Sequence, residues 1–588
     1  MRELLEKKYK IIFEKYDLPH PIDARNITIT IKNLIIEFLK DAKNPAIYCN
    51  GGHTKMLMSD FMYELKSVKI IIDNYADNKD SGGFKCIADK DIEDYNVDAV
   101  IISSFKFRKD IKNKLKNLHK NIRILDFYDE FEKRGIVLQS DYYYCNHPYH
   151  QYHTINKIQN KIKEENTDNK EELYKNLIAH YLQIKDFRTA ISKAEELYDF
   201  CNKDIYKRFL NDITDIYKLE LEACKYIPEN HVLMFCLDGL RRRDLSERYM
   251  PKMYKCLSEN ACMFTNAYSC STSTYESLVP AYSGNDDLRT KYYEKNSVDE
   301  KDCNFVQTAK KQGRTIHVYG DVSHYIDGED IKHEDTYQTV TEKLWSFILD
   351  AVSEKNGLYY IHELYESHFS FSNPYTDVTL ISEGTALLFD FLPQKGGKLR
   401  TDYNRQHTDA LRYIDDVTAP FVERLMCNMV LYADHGNLIL DADSKISDVR
   451  DIDYTCSEQW TQIPLVVKSL HQGKEENDML MSLKCISDII ISLLKNEKYT
   501  PQKREFIKIM RSELYNPDFR FLYKSEDKAR FLSAFEAFVF DNGYKLLIYS
   551  DRYIELYRLP EERRIDNKAV VNALLEKVLD EVSVCNIK

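Results

Sequence analysis

Three short stretches in the second half of the chain bring together side chains that could do chemistry. They are Leu237-Asp238-Gly239, Ser271-Thr272-Ser273-Thr274 and Ala433-Asp434-His435-Gly436. Each follows or ends an apolar run of strand type, and together they supply carboxylates, an imidazole and a hydroxyl nucleophile. A divalent metal can use such a set to activate a hydroxyl against a phosphorus or sulfur ester.

The elements that must position them are buried strands. His231-Val232-Leu233-Met234-Phe235-Cys236-Leu237 and Met429-Val430-Leu431-Tyr432-Ala433 are continuously apolar or nearly so, as expected of strands covered on both faces. In open parallel sheets ligands lie beyond the carboxyl ends of strands, which is where Asp238 and Asp434 fall.

The segment Cys270-Ser271-Thr272-Ser273-Thr274-Tyr275-Glu276-Ser277 resembles the Cys-Gly-Thr-x-Thr-x-x-Ser run of the phosphoethanolamine transferases in the alkaline phosphatase superfamily. Its second Thr is that family's nucleophile and falls on Thr274. The sulfatase signature C-x-P-S-R, with T-G nine and ten residues on, selects the same residue: Ser277 stands at plus three and Ser283-Gly284 at plus nine and ten. Glu276 and Leu278 replace the signature's Pro and Arg, so maturation to formylglycine is not expected. Asp434-His435-Gly436 resembles the superfamily's second pair of metal ligands. Tyr359-Tyr360-Ile361-His362-Glu363-Leu364-Tyr365-Glu366-Ser367-His368 looks like its Ser-His segment, with one more residue between His362 and His368 than in the transferases. The resemblance implies one tight metal site from Asp238, Thr274, Asp434 and His435, with zinc or manganese the suited ions. It implies that His368 binds the transferred group or protonates the leaving oxygen. The further His that supplies a second metal in the transferases is missing between Asn437 and Trp460. Asp409 to Asp415 resembles the helix before the last metal strand, its acids expected on a solvated face. Near the end, Asp541-Asn542-Gly543 between alternating apolar runs is hairpin chemistry, and the following Tyr553 to Glu562 resembles the sulfatase C-terminus.

Residues 46–140 alternate apolar strands (Ala46–Cys49, Val68–Asp73, Ala99–Ser104, Ile122–Asp126) with helical stretches, which predicts a parallel doubly wound sheet. Gly51 and Gly52 after the first strand, and Asp73 after the second, fit a nucleotide-type site in a Rossmann-like module. The glycine fingerprint is incomplete, because Cys49 occupies the first position and the third glycine is absent. A scaffold that binds no nucleotide is the alternative. Residues 141–228 begin aromatic and His-rich, then show apolar spacing from Leu177 to Leu197 across Ile184-Lys185-Asp186, the pattern of a tetratricopeptide-type helical hairpin.

With 588 residues the chain exceeds one ordinary core, and 43% hydrophobic with 30% charged residues is a globular profile. A net charge of -12 argues against a general nucleic-acid partner. No apolar run approaches the length of a spanning helix. The 14 cysteines lie singly, and the charged start has no signal-type apolar stretch, so a cytoplasmic location is expected. The expected architecture is α/β: a Rossmann-like domain over 1–140, a helical connector over 141–228, and an alkaline phosphatase/sulfatase-like domain over 229–588 with a small antiparallel subdomain from about 500. The expected activity is a metal-dependent phosphoester transferase or phosphodiesterase working through phospho-Thr274 on a glycan or cell-envelope precursor. A sulfate- or phosphate-monoester hydrolase is the second expectation, and a catalytically degenerate scaffold the third.

Overall fold

A computed structural model describes the chain apart from residues 19–23, 52, 55–56, 59–60, 74–83, 120, 135–147, 165–168, 289–290, 293–296, 321–324, 335, 370, 377–397, 440–455, 513–532 and 584–588. The chain forms two compact units, Pro21–His150 and Met1–His20 with Gln151–Lys588.

In the smaller unit five strands, β1 (Pro45–Tyr48), β2 (Ile70–Ile72), β3 (Lys85–Ile87), β4 (Ala99–Ile102) and β5 (Arg123–Leu125), pair in parallel in the order β3-β2-β1-β4-β5. The sequence expectation covers four of them and misses β3, which shows only Cys86-Ile87 as an apolar signal. The order reverses between β1 and β4, as in doubly wound sheets. There His53 shares hydrogen bonds with Ser103 Oγ (2.7 Å) and the Tyr128 hydroxyl (3.0 Å), and burial pushes its pKa down to about 3. Asp73 Oδ2 accepts the Asn50 N–H at 2.9 Å, holding the turn after β1. Gly51 lies in that turn, while Gly52 lies outside the described residues.

The larger unit draws on the chain's first helix and on the helical segment. The helix Arg2–Lys15 belongs to the larger unit because it packs on the helix Asp204–Ala223, with Tyr16 and Phe209 rings 4.4 Å apart and Lys15 paired to Asp212 at 2.6 Å. The helices Lys170–Gln183 and Phe187–Cys201 follow one another within this unit. Thr341 donates to the Ile184 carbonyl at 2.6 Å, and Phe187 packs on Trp345 at 5.4 Å.

The larger unit is organised on an eight-stranded sheet. Its spatial order is Ile331–His333, Thr315–Tyr319, Gly357–Glu363, Val232–Leu237, Asn428–Tyr432, Leu465–Lys468, Cys262–Phe264 and Glu475–Asn477. Leu465–Lys468 runs against the others. The three central strands are wholly buried, which accounts for their unbroken apolar runs. The register Tyr432↔Cys236 carries Asp434 and Asp238 off the sheet at the same level, side by side. Asp415, expected on a solvated face, is instead buried and accepts the Met253 N–H at 2.6 Å at the start of the helix Pro251–Asn260. A carboxylate at a helix N-terminus satisfies donors with no intrahelical partner, which is why burial is tolerated there.

A five-stranded antiparallel meander closes the C-terminal part, including the expected Asp541-Asn542-Gly543 hairpin with Gly543 at φ 80°. It braces the site: Met510 N–H donates to the Cys270 carbonyl at 2.9 Å, and Ser512 N–H to Glu276 Oε1 at 3.1 Å.

Just past Asp238 the chain is clamped by a buried pair. Arg241 contacts Asp244 at 2.6 Å and donates to Gln459 Oε1 at 3.0 Å. Removing one partner leaves a buried charge uncompensated. Asp244→Ala is therefore expected to destabilise the large unit by about 3–5 kcal/mol, read from urea unfolding followed by circular dichroism. An unchanged unfolding midpoint would show that the clamp contributes nothing.

Candidate active site

The structure brings Asp238, Thr274, Asp434 and His435 into one site at the carboxyl edge of the large sheet. The Thr274 hydroxyl lies 3.3 Å from Asp238 Oδ2 and 3.3 Å from His435 Nε2. Thr274 is the first residue of the helix Thr274–Ser283, so the partial positive charge of the helix start faces any anion bound at its hydroxyl. Ser277, at plus three in both signatures, is a strut: its Oγ accepts the Cys270 N–H at 3.1 Å and donates to the Asp434 carbonyl at 2.6 Å. Gly284, at plus ten, ends the helix at φ 73°. Glu276 and Leu278 are both buried, and Glu276 accepts from Ser271 Oγ at 2.9 Å.

Asp238 and Asp434 are fully buried, and each keeps one oxygen, Asp238 Oδ1 and Asp434 Oδ2, with no hydrogen-bond partner among the described residues. The other Asp434 oxygen, Oδ1, accepts the Gly239 N–H at 3.0 Å. Ligand atoms of Asp238, Asp434 and His435 all lie within 4.8 Å of one another. Two carboxylates that close repel by at least roughly 3 kcal/mol at an effective dielectric of about 20. Buried polar atoms are normally satisfied, so this pair of unpartnered oxygens fits a cation. His435 is prepared for the same role. Its Nδ1–H donates to the Gly436 carbonyl at 2.6 Å, which leaves the Nε2 lone pair aimed at the carboxylates, 3.4 Å from Asp434 Oδ2. Two carboxylates, an imidazole and a hydroxyl are a donor set that zinc or manganese accepts.

Burial pushes the Asp238 carboxyl up, but His368, His362 and His435 outweigh it and hold the group well below the ordinary carboxylate range. Burial pushes His435 down, and Asp434 and Asp238 outweigh that, so its pKa is raised. His368 stands at the mouth, with 35% of its side chain accessible, its Nδ1 bonded to the Phe369 carbonyl at 2.7 Å and its Nε2 3.9 Å from Asp238 Oδ1.

His362 stands out in the sequence only as a spacing marker, yet its Nε2 contacts Asp238 Oδ2 at 2.9 Å. The available signal is a histidine near the end of a buried strand paired directly to the Asp238 strand. Asn437, also missed, donates to the Gly239 carbonyl at 2.9 Å and fills the space a side chain at position 239 would need. Gly436 has the same constraint, since a Cβ there would lie 2.0 Å from the Gln459 carbonyl oxygen.

The sulfatase family model matches residues 231–495, and the model described as C2185-like, N-terminal, matches residues 42–125. The large unit thus carries a sulfatase-family domain of the alkaline phosphatase superfamily, whose enzymes use divalent metals to hydrolyse or transfer phosphate and sulfate esters. Among solved structures, the phosphonate monoester hydrolase SpPMH from Silicibacter pomeroyi is similar over 60% of this chain and 94% of its own, at 12% identity and a TM-score of 0.42. A 2-O GAG sulfatase is similar over 60% of this chain and 91% of its own, at 12% identity and a TM-score of 0.39. The C-terminal periplasmic domain of EcEptC from Escherichia coli is similar over 49% of this chain and 90% of its own, at 14% identity and a TM-score of 0.36. No curated protein matches the chain. Among the described residues no helix is long and apolar enough to cross a membrane.

Two outcomes follow from the buried charges. Asp434→Ala removes one of two repelling carboxylates, so the metal-free variant is expected to be at least as heat-stable as the metal-free parent. Zinc at about 100 times its Kd should stabilise the parent by about 2.7 kcal/mol and leave the variant unmoved. The pH dependence carries the sign of the raised His435 pKa. Its attraction to the carboxylates stabilises the metal-free fold below the unfolded value of about 6.5 and is lost as pH rises through the higher folded value. The thermal shift produced by zinc is therefore expected to grow with rising pH across that window, and a shift that shrinks would contradict the assignment.

Proposed function

We propose that this domain transfers or hydrolyses a phosphodiester through a covalent phosphoryl group on Thr274, with a glycan or cell-envelope precursor as substrate. The observation that carries the reading is the Thr274 hydroxyl, at a helix start and 3.3 Å from both Asp238 and His435. Asp238, Thr274, Asp434 and His435 would hold zinc or manganese, which when bound lowers the hydroxyl pKa and screens the ester's charge.

Thr274 Oγ attacks phosphorus in line, its proton leaving toward Asp238 Oδ2, and the bond from phosphorus to the leaving oxygen breaks. His368, whose Nε2 faces the site, gives its proton to that oxygen. In the second step His368 takes a proton from water or an acceptor hydroxyl, whose oxygen attacks phosphorus; the bond from phosphorus to Thr274 Oγ breaks, and Asp238 Oδ2 returns its proton to that oxygen. The burial of Glu276 and Leu278, where the sulfatase signature has Pro and Arg, supports an unmodified hydroxyl nucleophile over formylglycine. The doubly wound unit on the same chain supports an activated or glycan-linked substrate by analogy.

Thr274→Ala is expected to lower turnover of bis(p-nitrophenyl) phosphate by about 10³-fold or more while the protein still takes up metal. Mass spectrometry of acid-quenched parent enzyme should find a phosphoryl adduct on the Thr274 peptide. Normal turnover in the variant would remove Thr274 as nucleophile. Preferential cleavage of p-nitrophenyl sulfate would favour the sulfatase reading, and no cleavage with no bound metal would favour a scaffold.

A further inference from the structure

Beneath the site lies a buried hydrogen-bonded chain that the chemistry above does not use. His362 Nε2 meets Asp238 Oδ2 at 2.9 Å, and His362 Nδ1 meets the Tyr360 hydroxyl at 2.6 Å. The Tyr360 hydroxyl meets that of Tyr282 at 2.7 Å, and Tyr282 meets Tyr432 at 2.8 Å. His362, Tyr360, Tyr282 and Tyr432 are at most 1% exposed. The Tyr325 ring lies flat on the imidazole, centroids 4.0 Å apart and planes 5° from parallel, which fixes the ring plane.

The direction of the chain follows from its end. A carboxylate oxygen can only accept, so Nε2 carries the hydrogen; in the neutral ring Nδ1 must then accept, and Tyr360 donates to it. The Tyr360 oxygen accepts from Tyr282 and the Tyr282 oxygen from Tyr432. The tyrosines come from three different elements. Tyr432 is on the strand that leads to Asp434, Tyr360 is on the His362 strand, and Tyr282 is on the helix that starts with Thr274.

We infer that His362 is a positioning residue, held as the Nε2–H tautomer by the Tyr432–Tyr282–Tyr360 chain, and that it turns Asp238 so that Oδ1 is the oxygen offered to the metal. Oδ2 is engaged by this N–H, whereas Oδ1 has no hydrogen-bond partner among the described residues. The same chain ties the strand of each carboxylate and the nucleophile's helix to one hydrogen-bond geometry. This inference rests on the reading of Asp238 as a metal ligand.

The test measures zinc affinity by competition with a chromophoric chelator, alongside thermal unfolding of the metal-free proteins. His362→Leu is expected to weaken zinc binding by about 10- to 100-fold and Tyr360→Phe by less, as loss of groups that orient a ligand does. His362→Gln, whose side-chain amide can still donate to Asp238, should recover part of the loss. A merely structural role would lower the unfolding temperature and leave the affinity unchanged, which would overturn the inference. NMR of the histidine-labelled parent protein supplies an arm that needs no variant to fold. Its nitrogen shifts should give the Nε2–H tautomer for His362, and an Nδ1–H tautomer would overturn the assignment. A parent protein that binds no zinc would instead defeat the functional reading, and the tautomer would still be decided.

Discussion

Two carboxylates are forced together at the carboxyl ends of adjacent buried strands, and the rest of the large unit is arranged around that charge. Asp238 and Asp434 have left water, and hydrogen bonds satisfy them only in part: each keeps one bare oxygen. A fold that brings two buried anions so close has to supply positive charge locally. His435 offers part of it, and the remaining demand matches a divalent ion. Thr274 sits where that same cation would act on its hydroxyl, so under the proposed function the burial of the acids and the activation of that hydroxyl have one cause.

Precision in the site comes from three directions. The parallel register of the central strands sets the acids level with one another. Ser277 ties the helix that starts at Thr274 to the Asp434 backbone, and the C-terminal meander holds the preceding loop through Met510 and Ser512. Close packing does the rest. Gly239 and Gly436 leave room for Asn437 and for the Gln459 carbonyl, so these glycines are demands of the interior as much as of the turn.

The parts of this arrangement that were legible in the sequence are those with local signals. Asp238, Thr274, Asp434 and His435 each follow a strand or open a helix in a motif of a few residues, and the strands are long apolar runs. Nothing local marks His362 as a site residue, because its partner, Asp238, is distant in sequence and the pairing of their strands cannot be seen locally. The tyrosine chain below it reads as ordinary strand and helix core. The burial of Asp415 has no local signal, because its amphipathic pattern says nothing of a second helix whose start it caps. The helical hairpin has a local sequence pattern, but its packing into the large unit depends on Thr341 and Trp345, residues with no hairpin signature. In the small unit Asp73, expected in a nucleotide-type site, accepts the backbone N–H of Asn50.

The most direct measurement is anomalous X-ray scattering at the zinc and manganese absorption edges, from crystals grown with either ion. One strong peak per chain is expected, enclosed by Asp238 Oδ1, Asp434 Oδ2, His435 Nε2 and the Thr274 hydroxyl. An absence of density there, or a peak bound elsewhere while those atoms remain bare, would contradict it.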